Sequence, residues 1–102
     1  MNDNLIKKVK RRCYITDNDE TINERVIDMI ENSIPKVRRM MGISDEDYDF
    51  TEAGEEQELF LNYCYYVWND SADSFKSNYL DDIMSIRSKY EVSQYVESKE
   101  TN

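Results

Sequence analysis

The stretch Leu59–Trp68, LFLNYCYYVW, constrains this chain more than any other. Nine of its ten residues are large and apolar or aromatic, with Cys64 counted among them, and only Asn62 interrupts the run. Periodicity alone fits a buried strand or a buried helix. Glu55, Glu56 and Glu58 come just before it, and carboxylates suit the positive end of a helix dipole. With that acidic first turn the run outgrows a usual strand, so the reading is a helix. At about 100° per residue its apolar positions go all the way round. Such a helix must be covered on every side, and a short chain leaves room for another subunit to supply part of the cover.

A length of 102 residues sets one domain with a modest core. Two glycines and one proline are too few for a turn-rich sandwich, and the apolar spacing is helical. The expected class is all-α: a small bundle of about four helices over residues 1–91, with a long, Pro-kinked second helix, followed by a mobile C-terminal tail over residues 92–102. Charge is segregated. Residues 1–41 hold nine Lys/Arg against seven Asp/Glu, whereas residues 42–102 hold four against fifteen. An acidic C-terminal half repels phosphates and does not grip nucleic acid. Cys13 and Cys64 sit in apolar patterns and read as small buried hydrophobes with free thiols. The N-terminus, MNDNLIKKVKRR, lacks a signal-length apolar segment, and no stretch has the length of a membrane span. Synthesis in a reducing cytoplasm is expected.

In chain order, Asn2, Asp3 or Asn4 caps a first helix ending near Arg12. Leu5, Ile6, Val9 and Cys13 share its apolar face. Lys7, Lys8, Lys10, Arg11 and Arg12 take the other, as a solvated surface or as a docking patch for an acidic partner or a phosphate backbone. A polar turn, Thr16–Asp19, leads to a long helix from Glu20 to Met41, closed by Gly42. Pro35 inside it either kinks the helix or starts a second one. The acidic loop Ile43–Gly54 carries Asp45, Asp47 and Asp49 at alternate positions, with Glu56 at the twelfth position from Asp45. That is part of a calcium loop, but Phe50 stands where its turn needs glycine. The better reading is an acidic surface loop with Tyr48 and Phe50 tucked inward or offered to a neighbour. A last helix is expected from Asp73 or Ser74 to Tyr90. Arg87 projects into its apolar face and calls for a carboxylate or carbonyl partner, as a structural ion pair.

Catalytic chemistry is thin. The chain has no histidine, no glycine-rich phosphate loop, no paired-cysteine motif and no nucleophile elbow. No enzyme activity, cofactor or metal is expected, and a binding or assembly role remains.

The order of elements adds a resemblance. Leu5–Arg12 is followed by Tyr14-Ile15 and the turn Asp17-Asn18-Asp19-Glu20, then by a long helix ending Met40-Met41-Gly42. Next come an acidic loop and an aromatic helix ending Tyr65-Tyr66-Val67-Trp68-Asn69. Asn78-Tyr79-Leu80-Asp81-Asp82-Ile83, Arg87 and Tyr90-Glu91-Val92 complete the pattern. Over residues 5–92 this resembles the small head–tail connector proteins of tailed bacteriophages, also called head-completion or adaptor proteins, of the type found in long-tailed phages of Gram-positive hosts. The resemblance implies a virion protein made in the host cytoplasm. It implies a homo-oligomeric ring, a dodecamer, attached beneath the portal protein after DNA packaging. Such a ring extends the channel through which DNA passes without sequence-specific binding, and offers a surface to a stopper or tail-completion protein. Three contact regions follow from that reading: the basic face of Lys7, Lys8, Lys10, Arg11 and Arg12; the loop with Asp45, Asp47, Tyr48, Asp49 and Phe50; and the tail with Tyr95 and Val96. Two other readings compete with it. One is a small acidic regulatory module that sequesters a basic host protein or mimics DNA. The other is a calcium-responsive helical protein.

Overall fold

The computed structural model describes the backbone of residues 2–100 and the side chains as far as Ser93. Among the described residues there are five helices and no strand: α1 (Asp3–Arg12), α2 (Glu20–Met41), α3 (Glu55–Trp68), α4 (Ala72–Asn78) and α5 (Leu80–Glu100). No helix among them is long and apolar enough to cross a membrane.

Local chemistry sets the helix ends. The Asn2 side chain accepts the Leu5 N–H at 3.0 Å, and that of Asp19 accepts the Thr21 N–H at 2.7 Å, so α1 and α2 both begin on a side-chain cap. Three helices finish in the same way. The Ile43 N–H reaches back to the Arg38 carbonyl and the Gly42 N–H to the Arg39 carbonyl, with Gly42 left-handed at φ 70°. That is a Schellman ending on glycine. The same pair of bonds closes α1 at Tyr14 and α3 at Asp70, where φ is 58° and 54°. Side-chain-bearing residues there hold a conformation that favours glycine.

α2 runs unbroken through Pro35, so the alternative that Pro35 starts a new helix is set aside. The single last helix expected from residue 73 to 90 is also corrected. Tyr79 leaves helical angles at φ −116°, ψ 22° and divides it into α4 and α5. In that position the Tyr79 ring stacks on Phe75, 4.8 Å between centroids, and meets Tyr66 edge-on. α5 continues past Tyr90, the expected end, to Glu100.

The core closes around α3. α1, α2 and α4 pack directly on it, and the loop after α2 lays Phe50 flat on Phe60 with centroids 4.6 Å apart. Leu59, Phe60, Leu61, Tyr63 and Cys64 are all buried. Where α2 meets α3, the small side chain of Ser33 is buried and its hydroxyl hydrogen-bonds the Cys64 thiol. The chain itself therefore covers the first half of its most apolar helix, and the cover anticipated from a second subunit is not needed there. Toward the C-terminal end the cover thins, and Tyr65 stays 38% exposed.

Candidate functional site

The basic face of α1 is mostly engaged inside the molecule. Lys8 donates to the Gln57 side chain at 3.0 Å. Arg12 pairs with Glu58 at 2.8 Å and hydrogen-bonds Asn62. Lys10 gathers the Asp17 carbonyl, Asn18 and Asn23, at 2.8–3.0 Å. Those three cations fasten α1 to α3 and to the α1–α2 turn. The side chains of Lys7 and Arg11 hold no hydrogen bond or ion pair among the described residues. Beside them stands Tyr14, which was expected to pack with Ile15 as the chain turns and does not. Tyr14 is 83% exposed, sits in its left-handed turn, and meets Tyr65 edge-on at 6.3 Å. Together with Lys7, Arg11 and Ile15 it walls a shallow depression of about 450 Å³.

The acidic loop divides in two. Asp45 and Asp49 turn onto their own backbone, accepting the N–H of Asp47 and of Thr51, and Asp45, Asp47 and Asp49 remain exposed. Phe50 is 1% exposed, so it is a core residue and is withdrawn as a partner contact. Tyr48 is half-buried with its ring edge-on to Phe50 at 4.8 Å. Gln57 is buried and donates to the Phe50 carbonyl at 3.0 Å while accepting from Lys8. One amide thereby ties the loop, α3 and α1 together. The calcium reading gains no support from the geometry. Glu56, its required last ligand, is turned to Lys89 and to the Tyr90 hydroxyl. Among the described residues no three His, Cys, Asp or Glu side chains are gathered where one ion could be held.

Arg87 closes the C-terminal end of α2. Its guanidinium donates to the Arg39 and Met40 carbonyls at 3.1 and 3.2 Å and lies 3.5 Å from Glu91. Next to it a groove of about 660 Å³ opens between α2, α4 and α5. Met40, Leu80, Ile83 and Met84 form its floor, and Leu80 and Met84 are 46% and 51% exposed. Lys36, Arg39 and Lys76 stand at its rim with Arg87. Sequence reasoning missed this groove because its residues come from three helices. Tyr95 and Val96, the contacts assigned to the tail, lie outside the residues whose side chains are described.

The titrating groups that depart from ordinary behaviour all move away from neutrality. Burial pushes the Cys13 thiol up to about 11 against the pull of Arg12, and burial also raises Cys64, with Cys13 nearby adding to the effect. Burial raises Tyr48, helped by Glu56 and Tyr90. Burial pushes Glu56 up too, but hydrogen bonds from Lys89, its own backbone and Tyr90 outweigh that and hold it below the usual carboxylate range. Lys89 is raised chiefly by its hydrogen bond to Glu56. None of these shifts moves its group toward the near-neutral pKa that acid–base catalysis favours. The two surfaces left are an exposed aromatic between two cations and an apolar trough with a cationic rim. Comparison with protein-family models, with curated proteins and with solved structures finds no match.

Proposed function

We propose that this chain is a head–tail connector subunit of a tailed bacteriophage. It assembles as a homo-oligomeric ring beneath the portal, extends the DNA channel and presents a docking surface to the stopper or tail-completion protein. The order of elements over residues 5–92 supports the family. The observation that carries a docking role is Tyr14. A left-handed non-glycine residue costs on the order of 1 kcal/mol, and an aromatic left in water recovers little of it. Tyrosine and arginine are the residue types that most often anchor protein interfaces, and Arg11 is the neighbour of Tyr14 in this patch. The surplus of carboxylates after Gly42 suits a channel wall along which DNA slides without adhering.

The burial of α3 within one chain favours a second reading, an acidic binding module that works as a monomer on a basic host protein. Replacing Tyr14 tests the first reading. Tyr14→Gly should raise stability by about 0.5–1 kcal/mol, because the strain is relieved, and should weaken co-sedimentation with portal particles several-fold. Unchanged portal binding in a stabilised Tyr14→Gly chain would remove Tyr14 as the anchor and leave the second reading ahead.

A further inference from the structure

The groove between α2 and α5 needs an occupant that is acidic and carries some apolar surface. Its rim cations exclude a basic partner, and its Met and Leu floor calls for apolar surface that a phosphate backbone alone lacks. The chain carries such a surface itself. Glu20, Glu24, Asp28 and Glu31 recur at helical spacing along the N-terminal half of α2. All four are exposed, and none holds a cation among the described residues. Arg25, the one cation in that half, lies over the Trp68 ring at 4.7 Å. Beside Asp28, the side chains of Val67 and Trp68 are half-buried and line a second shallow depression with Asp70. α2 is thus acidic at one end and basic at the other, with Lys36 about 12 Å beyond Asp28 along the axis.

We infer that the cationic groove of one copy takes the acidic strip of the α2 helix of the next, with Met84 and Leu80 meeting the Val67–Trp68 edge. This deepens the connector reading and rests on it. A patch that meets a different patch on the next copy can repeat head-to-tail, and such a heterologous contact makes a ring when its rotation closes, whereas a two-fold pairing of both patches would stop at a dimer. Like charges placed opposite one another in the groove should block it, and a matched exchange should restore it.

The test uses two full-length variants, Lys36→Glu/Arg39→Glu and Glu24→Lys/Asp28→Lys, each first checked by circular dichroism for wild-type helicity. Each alone faces like charge across the interface, and native mass spectrometry should find no ring, with or without portal particles. An equimolar mixture restores both kinds of contact and should recover rings of alternating composition. Rings from either variant alone, or no recovery in the mixture of two folded variants while the wild type forms rings, would overturn the pairing and leave the connector reading standing. A wild type that forms no ring, alone or on the portal, would overturn the connector reading and this pairing with it.

Discussion

Phe50 shows what a single residue can hide. Its place in the acidic loop made it a candidate for the surface, and its type alone argued for burial. The structure puts the ring flat on Phe60 and bends the backbone to φ 64° to do so. Core stacking has outweighed the local strain, which is of order 1 kcal/mol, since a buried aromatic is worth several times that. Phe50→Ala should therefore cost about 3–5 kcal/mol in urea unfolding. A loss under about 1 kcal/mol would mean that the ring does not sit in the core in solution. Other residues were legible from neighbours in sequence: Asn2 and Asp19 as caps, Gly42 as a helix end, Cys13 and Cys64 as buried thiols that remain free. Tyr14 was not, because nothing in its flanks says that a tyrosine will fill a glycine position. Gln57 escaped notice because its partners, Lys8 and Phe50, lie far away along the chain or across a turn.

At the scale of elements, the long amphipathic α2 and the acidic start of α3 were readable with their bounds, since caps and periodicity agree there. The division of the last helix was not, because it depends on the Tyr79 ring finding Phe75 and Tyr66. What holds α5 against the start of α3 is also nonlocal. Lys89 bridges Glu55 at 3.1 Å and pairs with Glu56, while Tyr90 adds a hydrogen bond to Glu56. The sign of its pH dependence follows from the two shifts. Glu56 is lowered from an ordinary 4.5, so its contribution is present above that value and is lost as pH falls through its folded pKa. Lys89 is raised from 10.5, so its contribution is full below that value and is lost as pH rises through its folded pKa. The clasp is complete between those limits. Glu56→Gln should cost about 0.5–1 kcal/mol at pH 7, discounted because the Lys89 ammonium is half-exposed. The gap to wild type should close as the pH is taken below the carboxylate range. A gap that persisted in acid would assign the loss to packing rather than to charge.

At the scale of the whole molecule, the fold is elongated, 53 × 28 × 19 Å, with a radius of gyration of 14.9 Å, against about 13 Å for a compact chain of this length. α5 spans about 31 Å of it. A net charge of −9 is distributed so that exposed cations gather at Tyr14 and at the α2–α5 groove. The helical class was legible in apolar spacing, and the order of elements suggested the connector role that remains a proposal. The surfaces themselves were not, because each is built from residues of several helices and exists only once α3 is enclosed. The first half of α3 is enclosed within one chain, so the proposed ring would have to form through these surfaces rather than through an uncovered core. The most direct measurement is native mass spectrometry with negative-stain imaging of the chain alone and mixed with the portal ring that the proposed function pairs it with. The account predicts a ring in at least one sample, stacked on the portal in the mixture. A chain that stays monomeric in both and leaves the portal bare would contradict it.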